Sequence, residues 1–234
     1  MNEFTDAGQT AWRLIASLDP TLAEIVCRSL VVSVVAVGLA TLVGLACGAI
    51  LAVTRFPGRK FIIVLMNAGM GLPPVVIGLV VYLLLSRSGP FGRFGLLFTP
   101  TAMIIAQALL VFPIIGSLSR QVIEDLLQEY AEQFRSFGLG TVQMFRTLLW
   151  EGRFRLLTTL LAGFGRAIAE VGAVLIVGGN IAHVTRVMTT AIALETARGD
   201  LALALGLGII LITTAFTVNA AAYLIREYAE HHAA

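Results

Sequence analysis

The sequence predicts an all-α integral membrane protein with five transmembrane helices and one long polar loop between the third and the fourth. Its mean hydropathy is +0.91, and 13% of its 234 residues are charged, about half the share found in soluble domains. Four segments of about 25 residues carry no charged side chain, although about 20 residues suffice to cross the hydrocarbon core. Each crossing must be a helix, because lipid offers no water to unpaired backbone groups.

Residues 1–19 are predicted to form an amphipathic segment that lies on the membrane surface. Trp12, Ile15 and Leu18 recur at helical spacing beside Arg13, as in helices that rest in the interface. No cleavable signal peptide is expected, since the segment lacks a basic start and a pure apolar stretch.

The first transmembrane helix is predicted to cross over residues 29–54. Asp19 and Pro20 are typical of an N-cap and a first helical position, so the helix is expected to begin there. Glu24 and Arg28 are four residues apart and are expected to pair on its first turns.

Three further uncharged crossings are predicted over residues 61–86, 94–119 and 201–225. Pro73 and Pro74 interrupt the first of these and remove two backbone donors. Such a break persists in a membrane only where the freed carbonyl groups face protein or a wet cavity. A pore-lining role and a simple packing kink both remain open for it.

The remaining crossing, residues 156–181, is the one that contains charges. Arg166 and Glu170 lie four residues apart within it, where they can pair with each other. A charge at this depth costs about 2.5–3.5 kcal/mol, so both side chains are expected to face protein or water. Together the five crossings make residues 1–234 one transmembrane domain.

Basic residues in the short loops predict the orientation of the chain. Nine fall on one face, namely Arg55, Arg59, Lys60, Arg120, Arg135, Arg146, Arg153, Arg155 and Arg226, against six on the other, namely Arg13, Arg28, Arg87, Arg93, Arg186 and Arg198. This bias places the long loop and the C-terminus in the cytoplasm and the N-terminus outside.

The long loop, residues 120–155, has the pattern of two short amphipathic helices joined by a glycine elbow. Its first apolar stripe is Val122, Ile123, Leu126, Leu127, Tyr130, Phe134 and Phe137, with Glu124, Asp125, Glu129 and Glu132 opposite. Gly138 and Gly140 then break the pattern before a second stripe. The acidic face favours docking of a protein over attachment to anionic lipid, which is the alternative for such a surface helix.

Several classes of function are excluded by what the sequence lacks. It contains no G-x-x-x-x-G-K-[ST] phosphate cradle and no HExxH pattern, so the chain is not expected to hydrolyse ATP or to bind a metal. Cys27 and Cys47 have no CxxC spacing. The net charge of +2 gives no basic excess for nucleic acid.

The loop resembles the "EAA" loop of ABC importer membrane subunits. The resemblance rests on Glu132, Gln133, Phe134, Arg135, Ser136, Phe137, Gly138, Leu139 and Gly140. The two small residues that follow the Glu in that family are replaced here by Gln133 and Phe134, and its Leu before the Gly is replaced by Phe137. This bulkier ridge implies a subunit that accepts only its own ATPase.

Other segments are similar to the molybdate, sulfate and tungstate branch of these subunits, and most of all to its tungstate members. They are residues 71–79, 96–102, 165–173, 178–181 and 188–196. The resemblance implies a type I ABC importer permease fold whose coupling helix docks into a cytoplasmic ATPase. It also implies a homodimer that assembles with two ATPase subunits and an extracytoplasmic binding protein. The ATPase subunits bind the ATP and Mg, so no cofactor is expected in this chain. The subunit is expected to contact lipid and to lie in the cell membrane.

The proline, charged and polar residues in and beside the crossings also predict a translocation path or gate. Its candidate residues are Pro73, Pro74, Arg166, Glu170, Asn180, Thr189 and Thr190. Arg166 would add positive potential for a divalent anion, or serve with Glu170 as a structural ion pair. The donors of Asn180, Thr189 and Thr190 would guide an oxyanion, or belong to turn chemistry at a helix end.

Three alternative functions remain open at this point. A molybdate or sulfate importer would use the same machinery. A secondary transporter would require internal repeats and midplane carboxylates, of which only Glu170 qualifies and no repeat is visible. A membrane anchor for an enzyme complex would leave the proline-broken crossing unexplained.

Overall fold

A computed structural model describes residues 3–17, 19–138 and 140–233, and within them the chain is helical. The first six helices are α1 Glu3–Ala16, α2 Pro20–Val53, α3 Arg59–Gly69, α4 Pro74–Leu85, α5 Pro100–Glu129 and α6 Ala131–Ser136. The others are α7 Thr141–Glu151, α8 Arg153–Ile168, α9 Gly172–Gly178, α10 Met188–Arg198 and α11 Leu201–Ala233, with a 3₁₀ turn at Gly92–Phe94.

Three of these helices are long and apolar enough to cross a membrane unbroken, namely α2, α5 and α11. Two further crossings are bent pairs: α3 and α4 meet at 106°, and α8 and α9 meet at 57°. With each pair counted as one crossing, the structure has the five that the hydropathy pattern predicts.

The first crossing begins where the sequence predicts it. The Asp19 carboxylate accepts hydrogen bonds from the amides of Thr21 and Leu22 at 2.9 and 3.0 Å, and Pro20 occupies the first helical position. A cap of this kind stabilises a helix by about 1 kcal/mol. The expected pair on its first turns is also present, with 2.6 Å between Arg28 Nη2 and Glu24 Oε1. Before it, α1 forms the predicted amino-terminal helix and lies against α11, while Leu18 lies outside the described residues.

Helix α5 is the centre of the bundle, because it packs against α2, α3, α4, α8 and α9. Its contact with α2 is made backbone to backbone: a Cβ atom added at Gly48 would lie 2.5 Å from the carbonyl oxygen of Gly116, and one added at Gly44 would lie 3.2 Å from the Gly116 amide. Small residues allow this approach where no hydrophobic force draws helices together in lipid. Gly38, which also follows the small-residue pattern, has nothing within 4 Å and plays no such part.

The predicted bounds of the third crossing are wrong at both ends. Helix α5 begins at Pro100, after Thr99 as N-cap, rather than at residue 94, and it continues to Glu129. The first ten residues of the predicted loop are therefore a continuous helical extension of the crossing. Their charge does not end the helix, because Glu124 pairs with Arg120 on the same helix and with Arg59 on α3.

The second and fourth crossings are more sharply broken than the sequence suggests. Pro73 and Pro74 lie at a bend of 106°, which is far larger than a packing kink. Helix α4 starts afresh with Pro74 in its first turn. The fourth crossing breaks between Ile168 and Gly172, at a point where the sequence holds no proline.

The close approach of α2 and α5 generates a stability prediction. We expect Gly48→Val to lower the free energy of unfolding by about 2 kcal/mol, because the atoms it would strike are backbone and cannot turn aside. In detergent this corresponds to a fall of roughly 4–8 °C in the thermal midpoint. Gly38→Val is the matched control and should melt close to the wild type. Equal melting of the two variants would contradict the close-packed contact.

Candidate functional site

The segment between the third and fourth crossings presents an exposed ridge built on a glycine turn. Gly138 has φ +60°, a conformation that glycine adopts without strain, and it follows the short helix α6. Beside the turn, the side chains of Phe137 and Val142 are 76% and 73% exposed. Glu132, Gln133, Arg135 and Ser136 are exposed on α6, Phe134 is half-buried and Gly140 precedes α7. Leu139 lies outside the described residues.

The opposite side of this segment is fixed to the crossings above it. Ile123, Leu126 and Leu148 are buried with Ala49 of α2 in one apolar cluster. Tyr130 and Phe134 pack against the cluster, and their ring centroids are 5.9 Å apart. The helices on either side of the ridge are therefore packed directly against α2 and α5.

The predicted acidic docking face is only partly present. The carboxylate of Glu124 turns toward α3 and is shared by Arg59 and Arg120. Arg59 Nε also donates to the carbonyl oxygen of Leu51 at 2.6 Å, so these charges join α2, α3 and α5. Glu129 lies 3.8 Å from Arg155. Glu124 therefore serves the membrane domain rather than a docking partner.

The break in the fourth crossing is organised around Glu170, whose side chain is 3% exposed. Arg166 Nη1 donates to its Oε2 at 2.7 Å, and the amide of Ala173 donates to its Oε1 at 3.0 Å. The carboxylate thus neutralises a guanidinium and caps the new helix α9 at once. The Arg166 side chain is 34% exposed, so the positive group remains open on one side.

The carbonyl groups around this break also have partners. Thr189 of α10 donates from its hydroxyl to the Glu170 carbonyl at 2.7 Å, and Gln107 Nε2 of α5 donates to the Ala167 carbonyl at 3.0 Å. Both side chains are buried. Since an unpaired carbonyl in lipid costs several kcal/mol, these two donors allow the crossing to stay broken.

The breaks of the second and fourth crossings lie next to each other. A Cβ atom added at Gly172 would lie 2.9 Å from the Val75 side chain, and one at Gly78 would lie 2.7 Å from the Cα of Ala173. The turn at Pro73 and Pro74 thus adjoins the Glu170 cap. The structure brings the predicted proline break and the predicted intramembrane ion pair into one site.

Asn180, in the loop before α10, and Thr190, in the first turn of α10, form a separate cluster. Asn180 has φ +50°, its Nδ2 donates to the Thr190 carbonyl at 3.2 Å, and the Thr190 hydroxyl lies 2.9 Å from its Oδ1. Thr190 is buried. In this conformation the polar groups of both residues are engaged within the chain, whereas Thr189 reaches the broken crossing.

Sequence reasoning missed Gln107 and the anchoring of this loop to α2. The available signal for Gln107 was that it is a lone amide within an uncharged crossing. Its Oε1 has no hydrogen-bond partner among the residues described. Arg28 Nη2 donates to the carbonyl of His183 at 2.8 Å, and Ser29 Oγ accepts from the Met188 amide at 2.7 Å. Nothing in the local pattern indicated these contacts between distant segments.

In the described ranges, no three His, Cys, Asp or Glu side chains gather as a metal site.

Several known proteins have sequences similar to this chain. The tungstate uptake system permease protein TupB of Peptoclostridium acidaminophilum is 37% identical over 97% of this chain and 100% of its own length. A probable anion ABC transporter permease protein of Haloferax volcanii is 40% identical over 88% of the chain and 91% of its own. The sulfate transport system permease protein CysW of Synechocystis sp. is 28% identical over 88% and 77%.

The family described as "binding-protein-dependent transport system inner membrane component" matches residues 22–232, from the first turn of α2 nearly to the end of α11. The match takes in the bent crossings, the Glu170 cap and the exposed ridge. The chain therefore belongs to this family and has the type I ABC importer permease fold.

Proposed function

We propose that this chain is the membrane permease subunit of an ATP-driven tungstate importer and forms the translocation path by alternating access. The observation that carries the proposal is the full-length similarity to a tungstate uptake permease, at 37% identity over 97% of this chain. The sulfate permease of Synechocystis is more distant, at 28%. The exposed ridge and the paired breaks supply the parts that such a subunit needs.

As a permease of an ABC uptake system, the chain is a multi-pass inner-membrane subunit with an ATPase and a binding protein as partners. Two copies of it form the pore, and each copy receives one cytoplasmic ATPase, which binds the ATP and Mg and carries the only hydrolytic site. The N-terminus lies outside and the C-terminus lies in the cytoplasm, as the excess of basic residues favours. Nucleic acid has no part in the assembly.

The ridge at Gly138 is the docking point for the ATPase. Phe137 and Val142 are exposed large apolar side chains, and such groups anchor protein interfaces. Closure of the two ATPases moves the two ridges together. The cluster of Ile123, Leu126 and Leu148 then passes this rigid-body motion to α2 and α5.

The site between the two breaks is the translocation path or gate. Pro73, Pro74, Arg166 and Glu170 lie there with Thr189, while Asn180 and Thr190 shape the neighbouring loop. The half-exposed guanidinium of Arg166 supplies positive potential for a divalent oxyanion. Its buried partner Glu170 holds it in place.

Coupling through the ridge predicts a selective effect of Gly138→Val. A β-branched residue at φ +60° is strained by about 1–2 kcal/mol, so the turn would rearrange. We expect ATP-driven uptake to fall about tenfold or more while the protein inserts normally. Gly95→Val is the matched control, because Gly95 also has φ +60° and open space but lies in another loop. Uptake that is equal in the two variants would contradict the coupling role.

The role of the intramembrane pair is tested by removing both charges together. Arg166→Gln/Glu170→Gln keeps hydrogen-bonding groups at both positions and leaves no unpaired buried charge. At an effective dielectric of 20, the Arg166 guanidinium and an anionic charge about 4 Å away attract each other by about 4 kcal/mol. We therefore expect anion uptake to fall at least tenfold while the complex assembles with its ATPase. Unchanged uptake with normal assembly would make the pair purely structural.

The choice of anion is tested by competition in whole cells that depend on this permease. We expect labelled tungstate to be taken up, and unlabelled tungstate to suppress the signal. A large excess of sulfate should leave the rate unchanged. Equal suppression by sulfate or by molybdate would reassign the importer to that anion, and the Gly138→Val strain reports the background.

A further inference from the structure

A basic cavity lies where α2, α3, α5 and α6 meet, beside the exposed ridge, and Arg135 of α6 belongs to both. Its volume is about 570 Å³, and Arg55, Arg59 and Arg135 line it with one carboxylate, Glu124. Cavities of 300–1,000 Å³ are the usual size of small-molecule sites. The cavity is therefore large enough for a phosphate-containing headgroup.

The charges in this cavity are not balanced. Glu124 is already shared by Arg59 and Arg120. Neither Arg55 nor Arg135 has a carboxylate within ion-pair distance in the part of the chain that the structure describes. Two guanidinium groups thus face the same recess without a partner, which favours an anion.

An apolar cleft lies near the basic cavity, on the same three helices α2, α3 and α5. It has a volume of about 530 Å³ and lies between α2, α3 and α5, lined by side chains such as Leu51, Phe56, Leu65 and Phe112. A smaller recess lies between the two, since it shares Phe56 with the cleft and Arg55 and Arg59 with the cavity. The three neighbouring recesses are positive at one end and apolar at the other.

The cavity lies at the end of a crossing, where the headgroup layer is expected. Arg55 follows the last residue of α2, Val53, by two positions, and α2 crosses the membrane. Clusters of Lys and Arg at this position attract anionic lipids of the cytoplasmic leaflet. A protein partner fits the recess less well. Arg135 lines the recess, whereas the large apolar side chain that would anchor a protein, Phe137, is exposed at the ridge two residues on.

From these features we propose that this composite surface binds one anionic phospholipid, with its phosphate between Arg55, Arg59 and Arg135 and an acyl chain in the cleft beside Phe56. The lipid joins α2 and α3 to α6, the helix before the Gly138 turn. It gives the docking segment a contact with the membrane that is independent of the anion carried.

Brominated lipids report occupancy of the cleft directly. The probe is Phe56→Trp in a full-length chain with Trp12→Phe and Trp150→Phe, reconstituted with its ATPase in mixed vesicles. We expect dibrominated phosphatidylglycerol to quench the fluorescence at much lower membrane fractions than dibrominated phosphatidylcholine. Adding Arg55→Ala/Arg135→Ala should weaken the apparent affinity for phosphatidylglycerol roughly 30-fold, at about 1 kcal/mol per arginine.

The matched control is Arg87→Ala/Arg93→Ala, which removes two exposed arginines from another loop and should leave the quenching curves unchanged. If Arg55→Ala/Arg135→Ala does not fold, Arg55→Lys/Arg135→Lys, which keeps the charge but not the fork, should show an intermediate loss. Equal quenching by both lipids would overturn the proposal. The absence of quenching by either lipid would also overturn it and would assign the cleft to a second copy of the chain. If added inorganic phosphate abolishes the preference for phosphatidylglycerol, the cavity binds a free oxyanion, and the proposal is overturned as well.

Discussion

The hydrogen bonds around Glu170 determine how the fourth crossing can be broken inside the membrane. One carboxylate neutralises Arg166 and caps α9, while Thr189 and Gln107 satisfy the carbonyl groups that the break exposes. In lipid, a break without these partners would cost several kcal/mol for each unpaired group. The bend of 57° and the contact between α9 and α4 both depend on this set of bonds.

The mechanical design follows from where the polar groups are concentrated. The breaks at Pro74 and Glu170 adjoin each other in the membrane, whereas the ridge at Gly138 lies at the far end of α5. Between them α5 runs unbroken for 30 residues, through Pro113. A continuous helix transmits a displacement over its length, so the exposed ridge and the broken crossings are connected by one stiff element.

Much of the fold could be predicted from the sequence, because apolar length, N-caps and glycine turns are local signals. The five crossings, the start of α2 at Asp19 and the Gly138 turn were of this kind. The extension of α5 was not, since it depends on Glu124 pairing with Arg59 from another helix. The break at Glu170 was also missed, because Gln107 bonds to Ala167 from 60 positions away along the chain and Thr189 bonds to Glu170 from 19 positions away. The roles of Asn180, Thr189 and Thr190 in an anion path stay predictions.

The glycine contact between α2 and α5 has a consequence for how the pore opens. Gly44 and Gly48 lie directly on the backbone at Gly116, and packed backbones of this kind do not deform gradually. These two helices must then travel as a single block. Any shear between inward-open and outward-open shapes then falls to seams of the bundle other than the one between α2 and α5.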